Sequence, residues 1–275
     1  MNADRDFDLR RAIDAGCLDL YFQPRVNAGG AGIVGAEALL RWTPDGTTWT
    51  SVHCLGELDS EEFGLLWRWT MDRLTDVIRK LRQHGWAPTQ LRPDFFISLN
   101  LSQRQLATDE WARELMLMLK QSEVPGACIE VEITEQGALF DYVAASSALE
   151  MLRSAGVQIA LDDFPEGGAS FLLLSRLRFD KVKIDRCMVP TQDEAVSIWL
   201  KKRNVLEDLL MIIARTGAGA VLEGVESPVQ HRFLAPLAID EWQGYLWGKP
   251  MPLNNLLEVL PFADANSLGV AQANA

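Results

Sequence analysis

The chain carries eight short runs rich in β-branched and aromatic residues, at 20–26, 32–39, 95–100, 129–134, 158–163, 181–185, 219–224 and 242–247. Their count and spacing constrain the fold more than any other feature. Segments of helical period separate most of them. The clearest is Ser60 to His84, where Phe63, Leu66, Trp67, Met71, Leu74, Ile78 and Leu81 form one stripe and Gly85 stops the helix. The stretch 108–121 carries Trp111, Leu115 and Leu119, 141–155 ends at Gly156, and 193–215 ends before Gly217. Ser227-Pro228 reads as an N-cap followed by proline at the first helical position. Strand then helix, repeated, predicts a parallel sheet, whose crossovers need about a dozen residues. The first two runs break that rule, because only a few residues around Ala28-Gly29-Gly30-Ala31 separate them. They form an antiparallel hairpin. Eight strands, seven of them parallel, in 275 residues predict an α/β fold, a TIM-like (β/α)8 barrel with one antiparallel strand. The pattern divides into a helical lead-in at 1–18, a barrel domain at 19–263 and a frayed tail of small polar residues at 264–275.

Composition excludes several classes of function. Acidic residues number 38 and basic ones 26, a formal net charge of −12, so a broad surface for polymeric DNA or RNA is not expected. An anionic ligand would need cations as mediators. No apolar run reaches the roughly 18 to 20 residues of a membrane helix, and the start, MNADRDFDLRRAID, lacks the apolar core of a signal peptide. The expected location is the cytoplasm, without a membrane partner. Cys17, Cys54, Cys128 and Cys187 form no C-x-x-C pair and read as buried, reduced thiols. Only three histidines occur, at 53, 84 and 231, which argues against an imidazole-rich metal site and for one built from oxygen.

A barrel places its active site at the carboxyl ends of its strands, and polar residues recur there. Glu37 lies in GAEALLRW, Asn100 ends FFISLN, Glu132 lies in IEVEIT, and Asp162 and Asp163 end IALDD. Lys183 and Asp185 lie in KVKID, Glu223 ends AVLE, and Gln243 opens QGY. Side chains alternate across a strand, so Ile129, Val131 and Ile133 face the helices while Glu130, Glu132 and Thr134 face inward. Likewise Val182 and Ile184 pack outward, leaving Lys181, Lys183 and Asp185 inside. Carboxylates that converge in a low-dielectric space repel one another unless a cation neutralises them. Oxygen ligation by Glu, Asn and Asp suits Mg²⁺ or Mn²⁺, and an adjacent Asp-Asp pair can serve two ions. A two-metal site suits phosphodiester hydrolysis, with a nearby lysine holding the nucleophile.

Each residue alone also has a plainer reading. Glu37 could be a hairpin-edge glutamate, Asp162-Asp163 a helix cap, and Lys183 with Asp185 a structural ion pair. Asn100 could shape a turn, Gln243 could be a backbone-satisfied amide, and Arg41 could stack on Trp42. Their joint recurrence at strand ends favours one shared site. The nine tryptophans are read as core.

With these residues in view, GAEALLRW resembles the EAL family of cyclic di-GMP phosphodiesterases, through Glu37-Ala38-Leu39. YFQPRV, SLNLS, EVEITE, ALDDF, KVKID, EGVES and QGYLWGKPMP resemble the family's other blocks, in its order, from about Asp19 to Pro252. The resemblance implies a modified TIM barrel with one antiparallel strand, bacterial second-messenger signalling, and hydrolysis of cyclic di-GMP to linear pGpG. It implies that Glu37, Asn100, Glu132 and Asp162 surround one metal and that Asp162 and Asp163 serve the second. Lys183 would contact the attacking water, and Glu223 and Gln243 would complete the shell. It further implies that Glu135 steadies the loop after the Asp pair, that Gln23, Leu39 and Arg41 hold the dinucleotide, and that the chain pairs as a homodimer. A regulatory domain or protein partner is a further implied companion. The chain departs from the family after the Asp pair, where DDFPEGGAS replaces the usual DDFG-T/A-GYSS, so that Pro165, Glu166, Gly168 and Ala169 are unusual. Thr50 to Phe63 matches the family poorly, and Ala195 to Asn204 reads as a small insertion. The departure gives the alternative reading, a weak or inactive domain serving as a cyclic di-GMP receptor or protein-interaction module.

Overall fold

The computed structural model describes residues 8–44, 49–50, 58–86, 95–101, 108–134, 142–165 and 170–260. Among these residues ten strands form one sheet: β1 Leu18–Asn27, β2 Ile33–Trp42, β3 Trp49–Thr50, β4 Phe96–Leu101, β5 Ile129–Thr134, β6 Gln158–Phe164, β7 Lys181–Ile184, β8 Gly219–Leu222, β9 Glu241–Gln243 and β10 Met251–Pro252. Eight of them close a ring, in the order β1-β9-β8-β7-β6-β5-β4-β2 and back to β1. β1 is antiparallel to both neighbours, β2 and β9, while every other neighbouring pair in the ring is parallel. The hairpin therefore supplies the single reversed strand, as its short turn requires. The two-residue strands β3 and β10 extend the pairing on β2 and β1.

Among the described residues eight α-helices accompany the strands: α1 Leu9–Asp14, α2 Ser60–Gln83, α3 Glu110–Gln121, α4 Tyr142–Ser154, α5 Ser170–Arg176, α6 Val196–Thr216, α7 Pro228–Leu234 and α8 Leu253–Val259. A capping box between Asp59 and Glu62 opens α2, and its stripe of Trp67, Met71, Leu74, Ile78 and Leu81 is buried. Ser227 and Gln230 form a second capping box on α7, with Pro228 in the first turn. The apolar core lies between strands and helices, where Ile97, Leu99, Val131, Ile133, Ile159, Leu161, Val182 and Ile184 all bury their side chains. A smaller cluster holds α1 in place through Leu9 and Ala12 against Leu18, Trp42, Leu58 and Leu66.

Three strands end sooner than the apolar pattern suggests. β9 stops at Gln243, and at the next residue, Gly244, a Cβ would lie 2.1 Å from the Val225 carbonyl oxygen, so two backbones cross where only glycine fits. β8 stops at Leu222 and β7 at Ile184. Asp185 consequently does not join the interior; its side chain accepts from the Cys187 N–H and caps a short 3₁₀ turn. Cys128 is buried and Cys17 partly so, but Cys187 is exposed, which corrects the expectation of buried thiols; Cys54 lies outside the described residues. Among the described residues no helix is long and apolar enough to cross a membrane.

Candidate active site

Inward positions along the strands stack into two polar layers. On β4 the inward column is Phe96, Ser98 and Asn100, and on β5 it is Glu130, Glu132 and Thr134, in parallel register with Asn100 opposite Glu132. β2 contributes Gly35 and Glu37, paired with Phe96 and Ser98. Ala160 and Val221 share the interior as small buried residues, outside the main apolar cluster.

The upper layer centres on Lys183. Its ammonium lies 2.5 Å from Glu132 Oε2, 2.8 Å from Asp162 Oδ1, 2.8 Å from Glu223 Oε1 and 3.5 Å from Glu37 Oε2. Glu37 receives two further hydrogen bonds, from Asn100 Nδ2 and Gln243 Nε2, both 2.7 Å. Gln243 also donates to Gln23 Oε1 at 3.3 Å, and Gln23 donates to the Gly248 carbonyl. Among the described residues Gln243 Oε1 is buried without a hydrogen-bond partner. Asn100 stands exposed at the mouth, and Glu223 immediately follows β8.

Strict alternation would separate Asp162 from Asp163, yet an oxygen of each lies within 4.8 Å of the other and of Glu223. The reason is a bulge. Between Leu161 and Phe164 the register advances three residues on β6, while β7 advances two, from Val182 to Ile184. Asp163 takes φ = 54°, a left-handed conformation that aspartate tolerates better than most residues. The extra residue turns both carboxylates to one side.

Leu39 is half-buried on the same face of β2 as Glu37, and Arg41 follows it at the rim. The Arg41 guanidinium lies 5.9 Å from the centre of the Tyr21 ring and donates to the Leu40 carbonyl. Eleven of the twelve anticipated site residues thus lie on the strands, or one residue beyond them, with Gln23, Glu37, Asn100, Glu132, Asp162, Asp163, Lys183, Glu223 and Gln243 linked in one cluster. Glu135 lies outside the described residues, as do 166–169 of the altered loop and the tail.

Beneath this cluster is a second ionic layer, only partly anticipated. Arg25 of β1 contacts Glu130 at 2.5 Å, Glu132 at 3.2 Å and Glu241 at 2.8 Å, and Lys181 pairs with Glu241 at 2.6 Å and Glu130 at 3.2 Å. Alternation identified Glu130 and Lys181. It also runs through Gln23 and Arg25 on β1 and through Glu241 and Gln243 on β9, which is the signal that would have added the other two.

Burial drives the protonation of these groups. It pushes Glu223 up to about 8, with Lys183 opposing and Asp162 and Glu37 reinforcing the shift. Glu132 rises for the same reason, against the pull of Lys183. For Glu37 and Glu130 the same burial penalty is outweighed: Lys183, Asn100 and Gln243 hold Glu37 below the usual range, and Arg25 with Lys181 holds Glu130 at about 2. Lys183 is itself buried, but its four carboxylates raise it and keep it an ammonium. The upper layer therefore carries more carboxylate than one lysine can neutralise.

The sequence profile of the EAL domain matches residues 7–250. The bifunctional diguanylate cyclase/cyclic di-GMP phosphodiesterase MucR of Pseudomonas aeruginosa is 32% identical over 259 residues, and the cyclic di-GMP phosphodiesterase RocR of the same organism 30% over 255. Each alignment covers 91% of this chain, but 35% of MucR and 62% of RocR, so the chain spans only part of these relatives' length. A solved structure of the MucR phosphodiesterase in complex with c-di-GMP superposes with a TM-score of 0.75 at 30% identity, covering 90% of this chain and 98% of that one. The closed barrel with its reversed first strand and this match along nearly all of the described residues establish that the chain belongs to the EAL domain family of cyclic di-GMP phosphodiesterases.

Proposed function

We propose that this chain hydrolyses cyclic di-GMP to linear pGpG with two divalent cations, Mg²⁺ or Mn²⁺, and so lowers the second messenger in the cytoplasm. The observation that carries the reading is the charge of the interior. Glu37, Glu132, Asp162, Asp163 and Glu223 face one lysine in the upper layer, whereas two acids face two bases in the lower. Fully ionised, the upper layer has an excess of four negative charges, the amount that two divalent cations neutralise. Glu37, Asn100, Glu132 and Asp162 would hold one cation and Asp162 and Asp163 the second, with Glu223 and Gln243 completing the shell. Such ions, when bound, activate water and neutralise charge on a phosphodiester undergoing in-line attack.

The protein's own groups do the remaining work. Lys183, kept protonated, donates and cannot act as a base; it holds four carboxylates together and can steady the attacking oxygen. Asn100 and Gln243 fix the rotation of Glu37. Glu223, 2.8 Å from the Lys183 ammonium, stands beside the place where that lysine would hold the attacking oxygen. Arg41 at the mouth provides a planar fork for a phosphate, with Gln23 and Leu39 beside it.

The homodimer reading is supported by α6. Ile198, Val205 and Ile212, seven residues apart, are exposed, with Lys201 and Arg203 before Val205 and Glu207 and Asp208 after it. Two copies of α6 laid antiparallel about Val205 would set basic on acidic segments twice, a self-complementary surface. The receptor reading retains one specific support, the substituted PEGGAS loop beside Asp163.

Chromatography of cyclic di-GMP incubated with the protein and Mg²⁺ or Mn²⁺, beside a Glu37→Ala control and a binding titration in Ca²⁺, tests the proposal. Conversion to pGpG that the control loses supports it. Binding without conversion would make the domain a receptor instead.

A further inference from the structure

The lower ionic layer takes no part in the chemistry just proposed, and its presence needs a reason. Arg25 and Glu130 are fully buried, and Arg25 and Lys181 both lie over the ring of Phe96, at 4.8 and 3.9 Å from its centre. Interiors of such barrels are usually filled by branched apolar residues. Ions taken out of water lose their hydration, and apolar side chains of the same volume stabilise a fold as well or better. Stability alone does not account for the layer.

One contact joins it to the site above. Arg25 Nη1 donates to Glu130 Oε1 at 2.5 Å and to Glu132 Oε1 at 3.2 Å, while Nε and Nη2 hold Glu241 Oε2 at 3.0 and 2.8 Å. The other oxygen of Glu132 is on Lys183 at 2.5 Å. Glu132 is thus gripped from below and from above, which fixes the plane of its carboxylate and leaves each oxygen a further lone pair. A guanidinium can do this because its donors form a rigid fork, here spanning carboxylates from β5 and β9 while rooted in β1.

We propose that Arg25 is a positioning residue for the cation site: anchored on Glu130 and Glu241, it sets the height and rotation at which Glu132 faces the upper cluster. The inference rests on the two-cation reading above. Two bases balance two acids in the lower layer, so the layer acts on the site through orientation and not through net charge. The two effects have opposite signs, which makes them separable. Loss of a positive charge by itself would tighten cation binding, whereas loss of orientation weakens it.

Mn²⁺ binding to the full chain without nucleotide, followed by electron paramagnetic resonance, tests this independently of turnover. Arg25→Met combined with Glu130→Leu removes the fork but keeps the 2.6 Å Lys181–Glu241 pair, leaving the layer neutral. Arg25→Lys keeps the charge and loses the fork. Both variants are expected to bind Mn²⁺ about tenfold or more weakly, with a changed line shape, as is usual when the partner that orients a ligand is lost. Wild-type or tighter affinity in either variant, with a native circular dichroism spectrum, overturns the inference. Failure of the wild-type chain to bind Mn²⁺ would remove the two-cation reading and this one with it, an outcome distinct from unchanged affinity in the variants.

Discussion

Replacing Glu223 by glutamine should change how the metal-free protein responds to pH. Burial and the neighbouring carboxylates raise Glu223 from 4.5 to about 8, so between those values the unfolded chain has lost a proton that the folded one keeps. The stability that this proton confers is fully present below pH 4.5 and is lost as pH rises through 8. At about 1.36 kcal/mol per pH unit, the full shift amounts to on the order of 5 kcal/mol, of which about 3 to 4 kcal/mol falls between pH 5 and pH 8. Urea unfolding in EDTA at successive pH values measures it. The wild-type protein should lose stability across that interval, and Glu223→Gln should lose much less, its remaining slope coming from Glu132, which is shifted the same way. Millimolar Mg²⁺ should stabilise the wild type more at pH 8 than at pH 5, because the ion competes with protons for the same carboxylates. Parallel pH curves for the two proteins, or a wild-type stability that rises with pH, would refute the reasoning.

Other perturbations probe the remaining parts. Asp163→Asn removes one of the crowded charges and should stabilise the metal-free fold by about 1 kcal/mol while abolishing turnover, a trade-off visible when melting and nucleotide chromatography are run on the same sample. Lys183→Met leaves four carboxylates without their shared cation, so the metal-free protein should lose about 3 to 5 kcal/mol in chemical denaturation, partly restored by Mg²⁺. Gly35→Ala would set a Cβ 2.4 Å from the Phe96 ring, and the displaced ring should cost about 1 to 3 kcal/mol in thermal unfolding. Val205→Asp should shift a dimer to monomer in sedimentation equilibrium without changing the circular dichroism spectrum.

Much of this protein was determined by its sequence alone, for identifiable reasons. A strand alternates its side chains with period two whatever surrounds it, so IEVEIT and KVKI divide into outward apolar and inward charged residues before any contact is known. The turn at Ala28 to Ala31 is too short for a parallel crossover, and that alone reverses one strand. Local rules of this kind also fixed the stripe of α2 and the cap of α7. Tertiary structure decided what depends on several strands at once. The bulge that brings Asp163 beside Asp162 exists only in the pairing of β6 with β7. Alternation along KVKID places Asp185 in the interior, whereas the strand ends at Ile184 and the side chain turns to cap the next segment. The joining of Arg25, Glu130, Lys181 and Glu241 into one layer required barrel closure, since they come from β1, β5, β7 and β9 and are far apart in sequence. Alternation determines which way a residue points, but only the closed barrel determines which charges meet inside it.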